Sequence, residues 1–158
     1  MAILDIITVD SDEEEVLCRK AKDLDRPDIL SSEIQTLIED MMDTCHAADG
    51  LGLAACQVGS PANIFVYREP GKAGYNVMIN PVITDKASKM TSKGEGCLSV
   101  PGQYFNVKRY KKVIVEGLDR NGDKLIIITK SKALAKIFQH EVDHLNGITI
   151  ADKGRKVT

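Results

Sequence analysis

The chain has 158 residues, enough for one domain with its own core and too few for two. Its 21 basic and 23 acidic residues nearly balance, Trp is absent and aromatics make up 4%, which excludes a bulk basic nucleic-acid surface and an aromatic base-stacking platform. There is no apolar run near membrane-span length and no basic-then-apolar leader, so the expectation is a cytoplasmic protein with no membrane partner, whose four cysteines are reduced thiols.

In chain order, the acidic run Asp12–Glu15 reads as a solvated face or an acidic first turn. A helix is expected from Ser32, where Ser32-Glu-Ile-Gln35 has the form of a capping box, to near Asp49-Gly50. Ile34, Leu37, Ile38, Met41, Met42 and Cys45 recur at helical spacing and give it one buried face. Strands are expected at Asn63–Tyr67 and Tyr75–Asn80, with Asn80-Pro81 breaking or kinking the second. Two more, Lys111–Leu118 and Lys124–Thr129, flank Asn121-Gly122, a hairpin turn signal. A last helix from Ser131 to Asn146 carries the apolar stripe Leu134, Ile137, Phe138, Val142 and Leu145, and Asn146-Gly147 stops it. Helices and strands do not alternate regularly. The expected class is therefore α+β, with an antiparallel or mixed sheet packed around the C-terminal helix. The expected organisation is a single catalytic domain over 1–158 with 148–158 as a short tail.

The last helix contains His140-Glu-Val-Asp-His144, an H-E-x-x-H pattern. Residues four apart share a helix face, so both imidazoles can meet one metal. Glu141 can then reach the attacking water without being a ligand. A catalytic site needs a third protein ligand and one open position. One peptidase pattern continues H-x-x-G-x-x-H, but Ile150 stands where its last His would be. Cys97, flanked by Gly94 and Gly96, is the best upstream candidate, since a thiolate binds Zn²⁺ or Fe²⁺ well. Cys18 and Cys45 read as small buried hydrophobes and Cys56 as a packing residue. Gly50-Leu-Gly-Leu-Ala-Ala-Cys-Gln57 reads either as a close-packed turn or as backbone approaching a substrate, with the Gln57 amide as a donor.

Taken together, Gly50–Gln57, Glu95-Gly-Cys-Leu-Ser99 and Gln139-His-Glu-Val-Asp-His-Leu-Asn-Gly147 resemble the three signature motifs of peptide deformylase, in that family's order. The resemblance spans about Ile3 to Ile150. It implies a metal hydrolase that removes the formyl group from N-formylmethionyl polypeptides and releases formate. It implies Cys97, His140 and His144 as metal ligands, Glu141 as acid/base, and the Gln57 amide and Leu98 N–H as oxyanion donors. Leu51, Gly52 and Gly96 would line the substrate and Ile137 the methionine pocket. One divalent metal is implied, Fe²⁺ physiologically, with Zn²⁺ or Ni²⁺ able to occupy the site. Ribosome proximity would be transient, because the tail shows no docking helix and reads as a frayed, solvated end. No sequence-specific nucleic acid is expected. Two other readings remain open on the residues alone. One is a zinc peptidase cutting internal bonds. The other is a non-catalytic metal module closed by a fourth ligand, for which His46 is the remaining histidine.

Overall fold

A long antiparallel hairpin organises the structure, a computed structural model that describes residues 2–158. Strand β1 is Gly52–Ala54, β2 Ile64–Tyr67, β3 Asn76–Cys97, β4 Val100–Leu118, β5 Lys124–Ile128 and β6 Arg155–Lys156. They form one antiparallel sheet in the order β1-β2-β3-β4-β5, with β6 added to β4. The β3–β4 ladder runs from Ile79↔Leu118 to Cys97↔Val100 and closes through the two loop residues Leu98 and Ser99.

Four helices accompany the sheet: α1 Arg26–Leu30, α2 Ser32–Ala47, α3 Lys132–Leu145 and α4 Ile150–Lys153. The start of α2 corrects one expectation. The cap is Ser31, whose hydroxyl accepts from the Ile34 N–H at 3.3 Å. Because α1 ends at Leu30, the chain turns extended at Ser31 and the helix begins there. The Gln35 amide donates instead to the carbonyls of Ile29 and Arg120, at 2.7 and 2.9 Å. Helix α3 starts and stops as expected, with the Ser131 hydroxyl accepting from the Leu134 N–H and Gly147 at a positive φ of 77°.

All four residues of β2 are buried, because helices pack on both sides of it. Phe65 and Tyr67 meet Phe138, Leu134 and Val142 of α3. Ile64 and Val66 meet Ile38, Met41 and Cys45 of α2. Each such large apolar side chain contributes about 1.5–3 kcal/mol on burial.

Other expectations change. Pro81 does not end its strand: β3 continues through a register shift between Ile79 and Val82, with Asn80 at φ 51°. Asn tolerates that backbone, and its amide grips Leu24, accepting from its N–H at 2.9 Å and donating to its carbonyl at 2.8 Å. Strand β4 begins at Val100 rather than Lys111, because Phe105, Val107 and Arg109 alternate inward. The tail is not frayed. Ile150 is buried against Val100, Phe105 and Val107, Gly154 passes close over Phe105, and Val157 N–H donates to the Tyr104 carbonyl at 2.9 Å. Cys18 is exposed, at the end of a 3₁₀ turn over Glu14–Cys18 in which Leu17 does the packing.

Candidate metal centre

The end of the β3–β4 hairpin places Cys97 against α3. Cys97 Sγ lies 3.2 Å from His144 Nε2, and the two imidazole Nε2 atoms are 3.2 Å apart. The three ligand atoms all lie within 4.8 Å of one another. One thiol and two imidazoles suit a borderline divalent cation, and three ligands leave a position open for chemistry. Glu141 adds a further sign of fit: it is buried, yet its Oε2 has no protein partner. His46 is exposed on α2 against Tyr75 and is not part of this cluster.

Behind the ligands runs a buried chain of charge. His140 Nδ1 lies 2.8 Å from Glu95 Oε1. Arg109 donates to both Glu95 oxygens, at 2.5 and 3.2 Å, and to Asp143 at 2.5 Å. Lys153 of α4 closes on Asp143 at 3.0 Å. A carboxylate on the far nitrogen of a ligating histidine fixes its tautomer and ring orientation. Glu95 and Asp143 stand inside the motifs, but no role was expected of either. Arg109 has only one sequence signal: it falls in phase with the inward-facing Phe105, Val107, Val113 and Val115.

Electrostatics separate the groups. Burial pushes the Glu95 carboxyl up, but hydrogen bonds from His140 and Arg109 prevail and hold it at about 2. Burial pushes His140 down, but Cys97 and Glu95 prevail and raise it to about 10. Burial, aided by the positive charge of His140, holds His144 well below its ordinary value. Burial lifts Glu141 to about 7 against the pull of His140 and Arg109. Burial also pushes the Cys45 and Cys56 thiols to about 12, which keeps them protonated and inert, as their packing roles require.

A cleft of about 470 Å³ opens over the cluster, and Leu51, Gly52, Gln57, Gly96, Leu98 and Ile137 all line it. Gln57 sits in a 3₁₀ turn over Ala55–Val58 that follows β1. Its Oε1 accepts from the Ala54 N–H at 2.9 Å, so Nε2 is turned toward Ser99 Oγ at 3.0 Å and Cys97 Sγ at 3.8 Å. A Cβ at Gly52 would stand 2.5 Å from Glu141 Oε1. Only glycine leaves room for that carboxylate.

The family model described as polypeptide deformylase matches residues 3–158. The peptide deformylase of Thermodesulfovibrio yellowstonii is 43% identical over 157 residues, covering 97% of this chain and 90% of the relative. The crystal structure of a peptide deformylase from Legionella pneumophila superposes with a TM-score of 0.87 at 38% identity, covering 96% of this chain and 86% of that one. A Met-Ala-Ser-bound peptide deformylase from Acinetobacter baumannii superposes with a TM-score of 0.86 at 28% identity, covering 96% and 98%. These likenesses and the Cys97–His140–His144 cluster agree, and the chain belongs to the peptide deformylase family of hydrolases.

Proposed function

We propose that this deformylase acts on N-formylmethionyl polypeptides with Glu141 as acid/base and Gln57 and Leu98 as oxyanion donors. The observation that carries the reading is the unpartnered Glu141 Oε2 beside the converged Cys97, His140 and His144. A divalent metal held by these three residues would supply Lewis acidity and lower the pKa of a water from about 15.7 toward 7. Glu141 takes the proton of that water as its oxygen attacks the formyl carbon. Burial favours the neutral carboxyl, so Glu141 can hold the proton near neutral pH. It then delivers the proton to the methionine nitrogen as the C–N bond breaks, and the formic acid released gives its remaining proton to solvent or to the new amine and leaves as formate.

Charge builds on the formyl oxygen during the attack. Gln57 presents Nε2 because Ala54 holds its other end, and Leu98 stands at the first loop position after Cys97. One such donor is typically worth about 2.7–4 kcal/mol of barrier. Leu51, Gly52 and Gly96 run along the substrate backbone, and Ile137 packs on the methionine side chain. The bound peptide named for the Acinetobacter baumannii relative supports a peptide-holding cleft of this kind.

The physiological metal is Fe²⁺ in this reading, with Zn²⁺ or Ni²⁺ accommodated by the same donors. Residues 1–158 act as one catalytic domain in the cytoplasm, with transient ribosome proximity. No helix among the described residues is long and apolar enough to cross a membrane, in keeping with that placement. The test is anaerobic purification, metal analysis and a formate-release assay on a formyl-Met peptide. Formate release that rises with bound iron is expected. Cleavage of an internal bond in an unformylated peptide, without formate release, would overturn the reading in favour of a peptidase.

A further inference from the structure

The cleft face of α3 holds one charge that the metal centre does not use. Ala133, Lys136, Ile137 and His140 line the cleft at helical spacing. The two acidic side chains and the histidine that also line it are each committed. Glu95 is bound by Arg109 and His140, while Glu141 and His140 belong to the reacting end. Lys136 is half-buried, and no ion pair among the described residues includes it. No acidic residue lines the cleft beyond Glu95 and Glu141. Lys132 lies one turn before Lys136 on α3, and Lys93 adjoins the lining residue Gly94; both are exposed. Away from the reacting end and the Arg109-bound Glu95, the one charge on the cleft lining is therefore that of Lys136.

Lys136 is four residues from His140, about 6 Å along the helix axis. An extended peptide advances about 3.3–3.6 Å per residue, so with the formyl group at the ligands its second residue lies about 7 Å away. The flexible four-carbon stem of a lysine spans the difference. We propose that Lys136 is a specificity-determining residue that favours formylated chains with an acidic side chain at the second or third position and disfavours basic ones. This rests on the deformylase reading and adds a side-chain preference to it. The contact is remote from the breaking bond, so it acts on ground and transition states alike and shows in KM rather than kcat.

The test compares kcat/KM for formyl-Met-Glu, formyl-Met-Lys and formyl-Met-Ala tripeptides at low ionic strength. The native enzyme is expected to favour the Glu peptide over the Lys peptide by roughly three- to fivefold, the range of a partly exposed ion pair. Lys136→Met should bring the ratio near one, Lys136→Glu should invert it, and added salt should shrink it in the native enzyme. Lys20→Met, which removes an equal charge at an exposed site, should leave it unchanged. The Ala peptide separates the two levels of inference: no formate from it with the native enzyme defeats the deformylase reading itself. An unchanged Glu/Lys ratio in Lys136→Met, an equal loss for all three peptides, or an equal shift in Lys20→Met overturns the role of Lys136.

Discussion

Helices α2 and α3 lie on opposite sides of the same strand, and their buried faces differ. Toward β2, α2 buries Ile38, Met41 and Cys45, with Thr44 satisfied inside its own helix by the Asp40 carbonyl. Helix α3 buries Phe138 and Val142 toward the sheet, but also Gln139, Glu141 and His144. The difference is one of partners. Gln139 exchanges hydrogen bonds with the backbone of Tyr110, and His140 rests on a carboxylate that is itself held by a guanidinium. A helix can carry buried polar groups where a neighbouring strand satisfies them; α2 leaves one Asp43 oxygen without a partner, whereas the remainder on α3 lies at the metal cluster. On α3 that remainder is Glu141 Oε2 and His144 Nδ1.

The comparison can be broken most severely at the reacting end. Glu141→Gln should keep the metal and lose about 10²–10⁴-fold in turnover, the usual weight of a general acid/base. Cys97→Ala should lose the metal as well. Metal content and formate release read together separate the two, and full metal occupancy in Cys97→Ala would point to another third ligand.

Removing Arg109 attacks the partners instead. Arg109→Met removes the cation shared by two buried carboxylates, leaving Glu95 with His140 alone and Asp143 with Lys153 alone, and should cost about 3–5 kcal/mol in urea denaturation. The apolar side offers the matching measurement: Met41→Ala should cost about 2–5 kcal/mol through the cavity it leaves. If Arg109→Met proves harmless, the charge chain does not support α3.

Gly52→Ala is a finer probe. The new methyl would press on the Glu141 carboxylate, so turnover should fall on the order of 10²-fold, while the urea midpoint moves little. A variant as active as the native enzyme would show that Glu141 has room to spare.

The smallest effect is in acid. Glu95 sits at about 2 in the fold against an ordinary 4.5. Its lowered value means that the ionised form stabilises the fold, fully above 4.5, and that this contribution drains as pH falls toward 2. Glu95→Gln should flatten that part of the stability profile. Equal acid slopes for the native protein and the variant would remove Glu95 from the account.

Much of α3 was legible in the sequence, because its cap, its stripe and its stop are local signals carried by Ser131, Phe138 and Gly147. The ligand set was legible for a different reason: three short motifs bring their residue types in order. Ser31 was hidden by Ser32, since the choice between two adjacent serines depends on where α1 ends. The early half of β4 was hidden because Pro101, Gly102 and Arg109 interrupt its apolar alternation. Cys18 misled because a lone cysteine says little about its own burial, and Leu17 beside it was the residue that packs. The support behind His140 could not be read, because Glu95, Arg109 and Asp143 meet only after the hairpin and α3 are assembled.

Strand β2 has a consequence for how pairing errors are prevented. In a strand with one wet face, a slip of one residue is punished by exposing apolar groups and burying polar ones. Ile64–Tyr67 has no wet face. A slip there would still put apolar groups on both sides, so polarity cannot police the register. Size can, since Phe65 and Tyr67 would trade places with the smaller Ile64 and Val66 and fit neither layer. Polar pins at the strand's entrance do the rest: the Asn80 N–H donates to the Asn63 carbonyl at 2.8 Å, and the Asn63 amide donates to Asp23 at 2.6 Å. The alignment of the innermost strand is thus guarded by shape within and by two asparagines at its gate.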